Sequence, residues 1–163
     1  MPVRKASIPE RLLDKSSRKL PRERLALAVN AVAAIRGMLD ITSNYAQERE
    51  AFGKPISQFQ HLRFKFAEME TKYRLNSAFI KECLNLFQTN SLDTGTASMA
   101  KLASTEAQCE IADTCLQMFG GYGYMKEYPI SRAFADARIQ KIYGGTSEIM
   151  LELISRDSFS NKS

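Results

Sequence analysis

The sequence predicts an all-α fold, an up-and-down bundle of three long antiparallel helices completed by shorter C-terminal helices. Apolar residues recur at three- and four-residue steps through three long segments. Glycine and proline clusters fall mainly between those segments. No stretch shows the apolar–polar alternation of a half-buried strand. The chain has 163 residues, 44% hydrophobic and 25% charged, which is ordinary for one globular domain with its own core.

Residues 1–19 carry no sustained apolar period, and Pro2 and Pro9 break any helix there. They read as a basic, flexible lead-in to a helical domain over 20–159, with 160–163 as a frayed tail. From 20 to 48 a long helix is expected. Pro21 suits its first turn, and Leu25, Val29, Val32, Ile35 and Leu39 form its stripe. Gly37 inside it marks close packing of a neighbour or close approach of a ligand. The break REAFGKPI follows, at 49–56. A second helix is expected over 57–88, with Leu62, Phe66, Met69, Tyr73, Ile80, Leu84 and Phe87 as a bundle seam and Asn76 or Ser77 bridging it. Asp93 or Thr94 can cap a third helix over 94–118, whose inward side is Met99, Leu102, Ala103, Ala107, Ile111, Cys115 and Met118. The loop GGYGYMKEYP, a short helix at 130–139, the second glycine break QKIYGGT and a last helix from Ser147 to Arg156 complete the chain.

Charge and cysteine use narrow the function classes. Residues 1–24 hold eight Lys or Arg and three acids, whereas residues 25–163 are balanced at fifteen of each. The net charge of +5 therefore belongs to the N-terminal stretch, and a nucleic-acid surface, which needs a basic face on the folded body, is not expected. No apolar run is read as approaching the ~18 residues of a membrane span. Cys83, Cys109 and Cys115 show no C-x-x-C spacing and read as buried reduced thiols, which fits an intracellular compartment. Glu10, Asp14 and Pro9 argue against a clean mitochondrial presequence. His61 is the single histidine, so no H-x-x-x-H or Glu-x-x-His metal pairing exists, and no metal is expected.

Some residues carry a structural and a chemical reading side by side. Closely spaced glycines in QMFGGYGY can bring backbone N–H groups to a ligand, but the segment follows a helix rather than a strand, so spacing alone favours a turn. Arg49 is either a favourable cation at a helix C-terminus or a clamp for an anion. Glu23 is either a carboxylate favoured by the helix dipole or a base.

Five motifs in order weight these readings: REAFGKPISQFQ at 49–60, QMFGGYGY at 117–124, EYP at 127–129, ADARI at 135–139 and YGGTSEI at 143–149. Together they resemble the C-terminal helical domain of the acyl-CoA dehydrogenases, over about Leu20 to Phe159. The wording of the last motif is most similar to the long-chain type. The resemblance implies FAD as cofactor and oxidation of a fatty acyl-CoA to the trans-2-enoyl-CoA in fatty acid β-oxidation. It further implies electron-transfer flavoprotein as acceptor, a homotetramer, and a mitochondrial matrix location in a eukaryote or the cytoplasm otherwise. It assigns Arg49, Phe52, Gln60, Gln117, Gly120, Gly121, Thr146 and Glu148 to the cofactor, with Arg49 and the Gln117 segment acting across a subunit interface. Arg24, Tyr143, Gly144 and Gly145 fall on the substrate side.

One departure is informative. Most members of the family read Y-E-G-T where this chain has Tyr143-Gly144-Gly145-Thr146, and that glutamate is their base. Two subgroups place the base instead on the first helix of the domain, in E-R-L, which here is Glu23-Arg24-Leu25. The resemblance therefore makes Glu23 the expected base, with the Gly144 N–H polarising the thioester carbonyl. Complete members carry an N-terminal helical domain and a middle β domain ahead of this one, so the chain corresponds to less than half of such an enzyme. The alternative is a non-catalytic helical module that associates with itself or docks on full-length subunits.

Overall fold

The structure, a computed structural model, describes residues 20–160. The expected lead-in and residues 161–163 lie outside the described residues. Among the described residues five helices form: α1 (Leu20–Glu48), α2 (Gln60–Gln88), α3 (Thr94–Phe119), α4 (Pro129–Gln140) and α5 (Ser147–Ser160). Short 3-10 turns at Ile56–Gln58 and Gly120–Tyr124 introduce α2 and close α3. The all-α expectation holds, with one addition. The break after α1 contains a small antiparallel hairpin, β1 (Glu50–Ala51) and β2 (Lys54–Pro55), which pairs Glu50 with Pro55 and Ala51 with Lys54. Two residues per strand are too few to alternate, so no strand pattern is visible in the sequence. Its tip, Phe52 and Gly53, has positive φ at both residues, the turn that suits a tight hairpin.

Helix α3 is the centre of the bundle and packs against the other four helices, most extensively against α1. Small residues face each other there: Ala28 and Ala31 on α1 and Ala97, Ser98 and Ala100 on α3 are all fully buried. Small side chains let two helix axes approach closely. This corrects the expected α1 stripe, because Val29 is exposed and the two alanines take the seam. On α2, Met69, Ile80 and Cys83 are buried, while Leu84 and Phe87, expected inward, are exposed. Cys83, three residues after Ile80, carries the buried face there, and the stripe rotates away beyond it. On α3, Met99 and Ala103 face outward, and Lys101, Ser98, Ser104, Thr105 and Gln108 are buried instead. Packed against four helices, α3 buries polar residues as well as apolar ones. Its hydroxyls satisfy themselves on their own helix: Ser104 donates to the Ala100 carbonyl at 2.7 Å and Thr105 to the Lys101 carbonyl at 2.8 Å.

The main apolar core joins Ile35, Met38 and Leu39 of α1, Met69 of α2, Ile111, Cys115 and Phe119 of α3 and Ile130 of α4. A second cluster holds Leu25, Ala28, Val32, Ile80, Cys83 and Ala100. Cys83, Cys109 and Cys115 are all free thiols. Asp93 rather than Thr94 caps α3, accepting from the Thr96 N–H at 2.7 Å. Gly37 is exposed, with no atom within 4 Å of where a Cβ would stand, so close packing of a neighbour does not explain it. The expectation about apolar runs also needs correction. By length and composition α1 could cross a membrane, with a window of mean hydropathy 1.5. In the fold, 44% of that window is buried, because α1 turns its apolar face onto α3.

Candidate functional site

The residues singled out by the sequence collect at two places, at opposite ends of α1. Glu23 lies in the first turn of α1 and Arg49 just beyond its last residue. At 1.5 Å per residue these positions stand about 39 Å apart along the helix.

At the Arg49 end, the end of α1, Ile56 and the turn at Gly120–Tyr124 enclose a surface cleft of about 560 Å³. Arg49, Gln117, Gly120, Gly121, Tyr45 and Tyr122 line it. Three aromatic rings, Tyr45, Phe119 and Tyr122, line it, with Tyr128 stacked behind. Tyr45 stacks on Phe119 with centroids 4.0 Å apart, and Tyr122 stacks on Tyr128 at 5.1 Å. The Tyr45 hydroxyl donates to the Phe119 carbonyl at 3.3 Å, which ties α1 to the end of α3. Burial raises the pKa of Tyr45 and nearby Arg49 opposes that rise. The Arg49 guanidinium lies over the Tyr122 ring, 5.5 Å from its centroid, and makes no ion pair among the described residues. An unpaired guanidinium beside flat aromatic faces can hold an anionic group attached to a planar ring system. Phe52 stands at the hairpin tip, 96% exposed, and touches only the edge of Phe59 among the ring contacts. Gln60 begins α2 and is exposed. Neither residue lines the cleft.

At the Glu23 end, the glycine break forms a loop between α4 and α5. The Tyr143 N–H donates to the Ile139 carbonyl at 3.2 Å, which holds the entry to the loop. Gly144 and Gly145 have φ of 67° and 104°. A Cβ at Gly144 would collide with the Leu27 Cδ1 of α1. Leu27 lies four residues beyond Glu23 and therefore on the same helix face, one turn away. The loop thus closes on α1 one turn from Glu23, whose side chain is exposed. Arg24 points the other way, into the bundle, and is only 4% exposed. Its Nη1 donates to the Ser98 hydroxyl at 3.3 Å, and its Nε has no hydrogen-bond partner. Burial pulls the Arg24 pKa down, and Glu23 opposes that shift. Thr146 caps α5, its hydroxyl accepting from the Ile149 N–H at 3.4 Å. Glu148 is exposed in the first turn, where its own backbone N–H and the Thr146 hydroxyl lower its pKa.

The residues that hold this loop carry no motif in the sequence. Lys101 is fully buried in α3, and its Nζ donates to the Gly145 carbonyl at 2.7 Å. Burial lowers its pKa, with Glu106 opposing. Glu106, one and a half turns further on, accepts from the Ser147 hydroxyl at 2.6 Å and pairs with Lys141 at 2.5 Å. Lys101 lies four residues from Ala97 and seven from Gln108, both buried, but nothing in its local sequence marks it as inward-facing.

Comparison with known proteins decides the family. The profile described as acyl-CoA dehydrogenase, C-terminal domain, matches residues 14–159. The chain belongs to the acyl-CoA dehydrogenase family, as its C-terminal domain. It is 48% identical over 143 residues to the mitochondrial long-chain specific acyl-CoA dehydrogenase of Mus musculus, covering 88% of this chain and 33% of that protein. The acyl-CoA dehydrogenase from Geobacillus kaustophilus superposes with a TM-score of 0.86 at 37% identity, covering 87% of this chain and 37% of the other. A glutaryl-CoA dehydrogenase from Mycobacterium smegmatis, in complex with FADH2, gives a TM-score of 0.84 at 26% identity over 88% of this chain and 37% of its own. The chain spans about a third of the length of the curated relatives it matches.

Proposed function

We propose that this chain is the helical C-terminal part of an FAD-dependent, long-chain type acyl-CoA dehydrogenase that converts a fatty acyl-CoA to the trans-2-enoyl-CoA. The carrying observation is the close approach of Gly144 to Leu27, which sets the glycine loop against α1 one turn from Glu23 and on the same helix face. A base moved from the loop to the helix needs that proximity.

In this reading the Glu23 carboxylate takes the α-proton of the thioester. The Gly144 N–H donates to the thioester carbonyl and stabilises the charge that develops there. Glu23 is solvated in this chain, and a bound acyl group excludes the water that weakens it as a base. Arg24, Tyr143 and Gly145 shape the same end. Bound FAD supplies the two-electron acceptor for the β-hydrogen. The cleft residues fit its chemistry: Arg49 would hold the diphosphate charge, and Gln117, Gly120 and Gly121 would bind the adenine side. Phe52 and Gln60, assigned to the cofactor by the resemblance, stand outside the cleft, and Thr146 and Glu148 would hold the cofactor at the other end. Separation of about 39 Å along α1 is too long for one flavin to touch both ends, which supports Arg49 serving a neighbouring subunit of a homotetramer. A mitochondrial location follows the names of the long-chain relatives, and the matrix and electron-transfer flavoprotein as acceptor follow the family resemblance.

A second reading, a non-catalytic module that self-associates or docks on full-length subunits, is favoured by the exposed Phe64, Leu75 and Phe87 of α2. FAD addition followed by gel filtration separates the two. Retained flavin absorbance with the chain supports the first, and a colourless chain removes stand-alone cofactor binding. In an assembly that turns over, Glu23→Gln is expected to abolish turnover and leave flavin binding near normal, while Arg49→Ala loses flavin. Retained turnover in Glu23→Gln refutes the base assignment.

A further inference from the structure

We propose that Lys101 is a positioning residue for the glycine loop: its buried ammonium group, bonded to the Gly145 carbonyl, locks the loop in the conformation that presents the Gly144 N–H. The inference rests on the reading of that N–H as the group facing the thioester carbonyl.

Two consecutive glycines give a loop unusual freedom, since each populates both signs of φ readily. A preorganised N–H donor therefore has to be fixed from both sides. On the entry side the Ile142 and Tyr143 N–H groups both reach the Ile139 carbonyl, at 2.9 and 3.2 Å. On the exit side the Gly145 carbonyl has Lys101, and Ser147 has Glu106. Lys101 thus fixes the peptide plane immediately after the flexible pair. The burial of this lysine makes the contact consequential. Lysine is almost never fully buried unless paired, and Lys101 is 0% exposed. No acidic side chain lies within ion-pair distance of it among the described residues, and the carbonyl at 2.7 Å is the hydrogen-bond acceptor that it finds. A surface lysine wandering among acceptors would not order a loop. This one has no water to turn to, and losing the contact leaves an ammonium group unsatisfied in the core.

The test is nuclear magnetic resonance on the full chain without ligand. In Lys101→Met, which keeps the length and removes the donor, the backbone order parameters of Gly144 and Gly145 are expected to fall from about 0.85 to below about 0.6, while those of α1 and α3 stay put. Lys101→Arg, which restores a donor, is expected to recover part of the loss. Unchanged order at Gly144 and Gly145 in a folded Lys101→Met overturns the proposal. If that variant does not fold, the parent chain decides. A slowly exchanging Lys101 ammonium signal with a through-bond correlation to the Gly145 carbonyl carbon supports the anchor, and a signal that is absent or uncorrelated overturns it. Titration of the parent with a fatty acyl-CoA tests the underlying reading separately. A Gly144 amide that never shifts counts against the thioester role and leaves the loop anchor standing.

Discussion

Replacing Gly145 by alanine should destabilise the chain far more than replacing Gly121, although both sit in glycine loops. At Gly145 the backbone φ is 104°, a region that residues with a Cβ rarely adopt, and holding alanine there costs about 1–3 kcal/mol. The new Cβ also stands 2.6 Å from the Met150 Cε. Met150 is fully buried, so its end group has no solvent to swing into, and overpacking adds about 1–3 kcal/mol. The two together give about 2–6 kcal/mol, a large part of the ~5–15 kcal/mol that holds a domain folded. For a chain of this size each kcal/mol moves Tm by roughly 2–4 °C, so Gly145→Ala should melt roughly 4–24 °C below the parent. Gly121 has no positive φ and nothing within 4 Å of its Cβ position, so Gly121→Ala should stay within about 0.5 kcal/mol. Circular dichroism at the helix band against temperature reads both, and urea melts with an unchanged slope confirm that stability alone has moved. A Gly145→Ala midpoint within about 2 °C of the parent refutes the reasoning.

Asp93→Ala removes the cap that receives the Thr96 N–H and should cost about 1 kcal/mol, or roughly 2–4 °C in the same melts; an unchanged midpoint contradicts the cap. Burial pushes the Cys115 thiol up to about 11, with a hydrogen bond to Thr42 opposing. A folded-state pKa above the unfolded one means stability that is complete below the unfolded thiol pKa near 9 and lost as pH rises toward 11. The loss is on the order of 2 kcal/mol. Cys115→Ala removes this component, so parent and variant should lose stability differently between pH 9 and 11, and parallel curves rule the thiol out.

The helices were legible because their apolar periods run long and their ends carry chemistry. Pro21 opens α1, Asp93 caps α3, and glycines stop α3 and α4 near where the sequence indicated. What periodicity could not tell was which side of a mostly apolar helix faces its neighbour. Val29 and Ala28 are adjacent and both fit a stripe, and only the small residues of α3 decide that alanine takes the seam. Of the candidate site, the motifs located Arg49, Gln117, Gly120 and Gly121, which do share one cleft, and the pair Glu23 and Gly144, which share one end. Lys101 stayed hidden in the run ASMAKLAST. A lysine among small residues reads as a solvated position, because hydropathy patterns treat charge as outward. Its burial follows from a helix packed against four others, which no local window contains.

That enclosure also sorts the polar residues of α3 by purpose. Ser98, Ser104, Thr105 and Thr114 donate to carbonyls of their own helix four residues back, and such bonds satisfy a buried hydroxyl wherever a helix is covered. Lys101, Glu106 and Cys109 reach out instead. Lys101 takes Gly145, Glu106 takes Ser147 and Lys141, and Cys109 donates to the Ala137 carbonyl at 3.1 Å. All of these partners lie between the last turns of α4 and the start of α5. A bundle shaped by stability alone would place methionine or leucine at position 101, because burying an ammonium group for one neutral acceptor loses more hydration than it regains. The same holds for Arg24, whose Nε is buried without a partner at the same end of the molecule. The core therefore concentrates its costly polar groups behind the loop and against the helical turn of Glu23. At the Arg49 end the cation is solvent-exposed and its burial costs nothing. An expensive, rigid backing beneath a pair of glycines has a physical purpose only if the backbone orientation of those glycines matters.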